Sequence, residues 1–251
     1  MAWQEGKTML ENWFRHTGAA VLGLSAACWA GTATAIPVTL AGTTVSFTFD
    51  TALAGLFGAP SVVGDSLFFT PTTFKAQSLN GAGLTLTSQT FNVAVSANPG
   101  YLLTAVNLTE AGDYFNLGSG SAVGVGGQLR MFDLDAPLLP AATSSIVAGA
   151  PLTAVTSLSS FATSNWNASA SVTVPSSGWG GTDGYVTNVN VTVENLLLAT
   201  TQTLGDGAFI EKKFTSLAIV TTPIPEPQAY LMFIAGLGLV GWVAWRRTGN
   251  A

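Results

Sequence analysis

Asn188-Val189-Asn190-Val191-Thr192-Val193-Glu194 alternates polar and apolar side chains without a break. Successive side chains of a β-strand point to opposite faces, so this stretch puts three valines on one side and a polar row on the other. Val45-Ser46-Phe47-Thr48-Phe49-Asp50 has its apolar residues on odd positions only, and Phe91-Asn92-Val93-Ala94-Val95-Ser96 follows much the same pattern. Weaker strands are expected at Leu84–Leu86, Tyr101–Val106, Gln128–Phe132, Ser171–Val174 and Phe214–Val220, rich in β-branched and aromatic residues. Turn signals separate them at Asn80-Gly81, Asn98-Pro99-Gly100, Ser177-Gly178, Asp183-Gly184 and Asp206-Gly207. Only Thr51–Phe57 and Pro151–Ser160 carry a helical signal between the two ends of the chain. Many short strands with one apolar face each predict an all-β fold, an antiparallel β-sandwich in preference to a barrel. No repeat or internal domain boundary stands out, and Ala141–Ser164 reads as a long loop or weak linker.

The chain has 251 residues, 8 Lys+Arg against 13 Asp+Glu and only 8% charged residues, where an average soluble domain has about 25%. A net charge of −5 argues against a nucleic-acid partner, which needs a basic surface to neutralise phosphates. Both ends are apolar. Near the start, Gly18–Ala30 is about a dozen residues, too short for the roughly 20 that span a bilayer. Small residues follow, and Ala33-Thr34-Ala35 offers the A-x-A pattern read by signal peptidase. Residues 1–35 are therefore expected to be a signal peptide with an N-terminal signal helix, cut after Ala35. The polar region before its apolar core is long and carries Glu5 and Glu11, which weakens it as a positive leader; a start at Met9 would shorten it. Lipidation of Cys28 is the rival reading, disfavoured because Ser25 stands where that motif prefers Leu.

At the other end Ala229–Trp245 runs 17 residues without a charge and is followed by Arg246 and Arg247. At 1.5 Å per residue it reaches about 25 Å, which suits a single transmembrane helix in a thin bilayer. The arginines hold the tail in the cytoplasm while the exported body lies outside, and Tyr230, Trp242 and Trp245 mark the headgroup zones. Just before the helix, Pro225-Glu226-Pro227 removes two backbone donors and favours an extended segment at the outer rim.

Pro225, Glu226 and Pro227, one hydrophobic span and the Arg246–Arg247 pair, on a chain with a signal peptide, resemble the PEP-CTERM sorting signal of Gram-negative bacteria. The resemblance covers about 27 residues. It implies recognition by an exosortase, a membrane protease, after passage through the inner membrane, and delivery to the cell surface or the exopolysaccharide matrix of a biofilm. More loosely, Asn195-Leu196-Leu197-Leu198-Ala199 and Gly207–Lys213 are similar to a segment upstream of the tail in other exported β-rich members of that group. The expected organisation is signal peptide 1–35, β-sandwich 36–222 and sorting tail 223–251.

The only Cys (Cys28) and the only His (His16) lie in the leader, so Ile36–Gln228 has neither. That excludes disulfides, Cys- or His-ligated zinc or haem, and nucleophilic triads built on His from the body. The body holds four basic residues (Lys75, Arg130, Lys212, Lys213) and eleven acidic ones. The preferred expectation is a non-enzymatic secreted protein without a cofactor, exposed to signal peptidase, exosortase and exopolysaccharide. Asp133, Asp135 and Asp183 are the candidate calcium ligands, although Asp in such turns more often bonds its own backbone. Trp166, Trp179 and Tyr185 are the candidates for stacking on sugar rings, with the core as the favoured place for the two tryptophans. A carbohydrate-binding module is thus the first alternative. A polysaccharide hydrolase working through two carboxylates is the second, with nothing in the sequence selecting a pair.

Overall fold

The computed structural model describes residues 37–154, 163–224 and 227–248. The leader, part of the expected Pro151–Ser160 helix, and Pro225 and Glu226 lie outside the described residues. Among the described residues thirteen strands follow in order: β1 (Pro37–Ala41), β2 (Val45–Asp50), β3 (Ser61–Val63), β4 (Ser66–Phe69), β5 (Lys75–Leu79), β6 (Gly83–Ala97), β7 (Tyr101–Leu117), β8 (Ser121–Asp133), β9 (Ala142–Ser145), β10 (Val147–Ala148), β11 (Ser164–Thr173), β12 (Asn188–Thr201) and β13 (Gly207–Pro223). They form two sheets, ordered β1-β2-β6-β12-β8-β9 and β10-β11-β7-β13-β4-β3, and every pairing is antiparallel. β5 also pairs with β13, so β5 and β4 lie one after the other along the same edge of that long strand.

The inner faces of both sheets share one hydrophobic core, which makes the body a sandwich. Its densest part is a knot of rings in which Phe69 and Phe91 meet edge to face at 4.9 Å and Phe57 touches Phe69, Phe74 and Phe91. Period-two alternation is the cause: Val189, Val191 and Val193 are all buried on β12, and Val45, Phe47 and Phe49 on β2.

Two local expectations are corrected. Leu84–Leu86 and Phe91–Ser96 belong to a single 15-residue strand, because β12 pairs with β6 along its whole length from Gly83 to Ser96. Ala141–Ser164 holds β9 and β10 rather than only a loop, since these short strands cap sheet edges. The helical signal at Thr51–Phe57 is met by two single-turn 3-10 helices, the first capped by Asp50 Oδ1 accepting from the Ala52 N–H at 2.9 Å. Asn80 and Gly81 both adopt positive φ, 56° and 75°, where the chain crosses from one sheet to the other.

The C-terminal helix spans Pro227–Thr248, and its side chains from Leu231 to Trp242 are all exposed. Among the described residues no helix is long and apolar enough to cross a membrane.

Candidate functional site

Three polar side chains meet in the middle of the sandwich. Asn195 is an odd-numbered residue of β12 and points inward between the buried Val193 and Leu197. Glu110 faces the same interior from β7, between Leu108 and Gly112 on the buried row of that strand. Lys212 arrives from β13 through a bulge: Lys212 pairs with Gly112 and Phe214 with Ala111, leaving Lys213 as the extra residue. Such an insertion flips the side-chain register of everything beyond it. Inward positions on β13 are accordingly even up to Lys212 and odd from Thr215 on.

The bulge has its own anchors. The Lys212 N–H donates to the Phe74 carbonyl at 2.9 Å, in the gap between β4 and β5, and the Trp166 indole N–H donates to the Glu211 carbonyl at 3.1 Å. Lys213 turns outward and pairs with Asp113.

Lys212, Glu110 and Asn195 are all at 0% exposure. Lys212 Nζ stands 2.6 Å from Glu110 Oε2, Asn195 Nδ2 donates to Glu110 Oε1 at 2.6 Å, and Lys212 Nζ donates to Asn195 Oδ1. The carboxylate fixes the orientation of the amide, since its NH2 must face the acceptor and its oxygen the amine. The rings of Phe74, Phe57 and Trp166 surround Nζ, with centroids at 5.1, 5.7 and 6.0 Å. Burial pulls the Lys212 ammonium down to about 8, and the Glu110 charge and hydrogen bond only partly oppose it. Thr215, directly across from Glu110 on β13, buries a hydroxyl that has no hydrogen-bond partner.

The sequence-predicted candidates lie elsewhere or play other parts. Trp166 and Trp179 are 4% and 7% exposed, so neither offers a ring face to a sugar; only Tyr185, at 45%, stands in solvent. Both tryptophans thus take the core place favoured for them, which leaves Tyr185 alone of the three stacking candidates in solvent. Asp133 Oδ1 accepts from the Asp135 N–H at 2.8 Å and its Oδ2 from the Gly180 N–H at 2.7 Å. Asp135 takes the N–H and hydroxyl of Thr187 and the N–H and amide of Asn188, at 2.9 to 3.1 Å. Asp183 Oδ1 accepts from the Tyr185 N–H at 2.9 Å. Asp133 and Asp135 thus have both carboxylate oxygens, and Asp183 one, accepting from nearby donors, which is the geometry of a turn latch. Among the described residues no cluster of three or more His, Cys, Asp or Glu could hold a metal ion.

The tail leaves the sandwich directly from β13, whose last residue is Pro223, with the Ile224 N–H bonded to the Gly100 carbonyl at 2.8 Å. Pro227 opens the following helix, where a proline's missing donor costs nothing. Near its end Arg246 lies over the Trp242 ring at 4.4 Å. Residues 223–247 match the family model of the PEP-CTERM protein-sorting motif. The PEP-CTERM match takes in the proline motif, the apolar helix and both arginines, and it implies exosortase-dependent sorting of an exported protein. No curated protein matches the chain. The buried Lys212–Glu110–Asn195 cluster was not singled out from sequence, although Asn195 breaks an apolar row that the alternation of β12 makes legible.

Proposed function

We propose that this chain is a non-enzymatic structural protein of the cell surface or exopolysaccharide matrix, exported through residues 1–35 and sorted by an exosortase through residues 223–251. The observation that carries this reading is the PEP-CTERM match at 223–247, placed straight after the last strand of a β-rich body. The 17 uncharged residues of Ala229–Trp245 serve as a transient inner-membrane anchor, and Arg246 and Arg247 hold it against translocation. Signal peptidase removes the leader after Ala35, and 36–222 is the part that works outside. The burial of Trp166 and Trp179 takes support from the carbohydrate-binding alternative, and the latched carboxylates of Asp133 and Asp135 give none to a hydrolase.

Replacing Pro225, Glu226 and Pro227 together by Ala tests the sorting claim. The expected result is accumulation of a longer, membrane-held form in fractionated cells. Unchanged size and unchanged location would remove the proposal.

A further inference from the structure

We propose that Lys212 and Asn195 join in an intramolecular isopeptide bond, formed by the protein itself with Glu110 as the proton carrier. The proposal stands on the core cluster alone and is independent of how the chain is sorted.

Geometry supplies the argument. An amine and a carboxamide are held in contact, side chain to side chain, by two strands from opposite sheets. One carboxylate bridges them, with Oε2 at 2.6 Å from the amine and Oε1 at 2.6 Å from the amide nitrogen. The nucleophile, the leaving group and the group that carries protons between them are thus in hydrogen-bond reach of one another, as acyl transfer requires. Holding reactants in this way converts a bimolecular step into a unimolecular one with a very large effective concentration. Full burial among Phe57, Phe74 and Trp166 excludes the water that would compete as nucleophile. It also favours the neutral amine, in keeping with an ammonium whose burial brings it down to about 8.

The atoms balance without an outside reagent. Glu110 takes one proton from the Lys212 ammonium, giving a free amine beside a neutral acid. The Nζ lone pair adds to Cγ of Asn195, forming the Nζ–Cγ bond and pushing charge onto Oδ1. A second proton passes from Nζ by way of the Glu110 carboxyl to Nδ2. The Cγ–Nδ2 bond then breaks and ammonia leaves. The product is a secondary amide, with Glu110 left protonated, so a buried pair of opposite charges becomes three neutral groups. That change removes the desolvation penalty that a buried ion pair carries.

The cross-link would tie β12 of one sheet to β13 of the other in a body whose mature sequence contains no cysteine. Intact-mass measurement of the full chain expressed in its folded form, followed by proteolysis and tandem mass spectrometry, tests it. The expected result is a mass short of the sequence value by one ammonia and a branched peptide in which Lys212 is joined to Asn195. Glu110→Gln keeps the size of the side chain but cannot carry the proton, and is expected to show the full mass and two linear peptides. Linear peptides from folded wild-type protein would overturn the proposal. So would an ammonia loss located within a single peptide, which marks a succinimide. If Glu110→Gln fails to fold, the wild-type peptide map decides by itself.

Discussion

At Gly112 a Cβ would stand 1.9 Å from the Glu211 carbonyl oxygen and 2.9 Å from the Trp166 indole nitrogen. Neither neighbour is free to yield: the carbonyl belongs to the bulge that aims Lys212 inward, and the indole donates to that same carbonyl. Gly112→Ala is therefore expected to destabilise the body by about 3 kcal/mol or more, because overpacking against backbone cannot relax through a side-chain rotamer. Chemical denaturation of the variant beside wild type measures it, and a loss below about 1 kcal/mol would mean that the bulge tolerates displacement. Nothing in the letters around Gly112 announces this role. Trp166 was legible as an aromatic worth attention, and alternation along β11 sends it inward with Ala168 and Ala170. Its real partner, a carbonyl 45 residues away, depends on tertiary packing.

On the scale of elements, period-two alternation identified the strands but not their ends. β2 occupies Val45–Asp50 as expected, whereas β7 runs on to Leu117 and β13 starts as early as Gly207. These strands outlast their clean pattern because cross-strand pairing continues through residues such as Glu110 and Lys212, whose polarity interrupts the apolar row. Alternation shows that Asn195 and Glu110 face inward, whereas the bulge at Lys213 hides the same fact for Lys212; nor does alternation show that the three meet, since that depends on which strands oppose one another across two sheets. The segment from Gly178 to Asn188 is a second case: its Asp-Gly turn was legible, but its attachment to Asp133 and Asp135 was not. That attachment gives a pH prediction. Burial raises Asp135, but the donors of Thr187 and Asn188 together outweigh it and hold the carboxyl below the usual carboxylate value. A depressed folded-state value means that the stabilisation is present above the unfolded value of about 3.9 and is lost as pH falls through the folded one. Asp135→Asn is expected to cost about 1 kcal/mol near neutral pH, discounted for the site's exposure. The gap between variant and wild type should close as thermal midpoints are followed from about pH 7 to about pH 2. A gap that stays constant over that range would show that the Asp135 charge does not hold the segment.

For the whole molecule, the question is what resists separation of the two sheets in a body, Ile36–Gln228, that has no cysteine to staple them. The ring cluster and the shared apolar core supply packing, and the Lys212–Glu110–Asn195 cluster sits where the sheets face each other. If that cluster were only an ion pair with an amide, replacing all three by apolar residues of similar volume, as in Lys212→Met with Glu110→Leu and Asn195→Leu, should leave stability equal or higher, because the desolvation cost disappears. A covalent tie between residues 17 apart in sequence reverses the sign. Closing a loop of that length in the unfolded chain is worth about 3 kcal/mol in the chain-entropy account, and the triple variant loses it. The two cases differ in a second observable, since an untied denatured chain is more open and exposes more surface, so the triple variant should also unfold with a steeper dependence on denaturant. Urea titrations of wild type and the triple variant read both quantities together. A triple variant as stable as wild type, with the same slope, would mean that the sheets are held by packing alone.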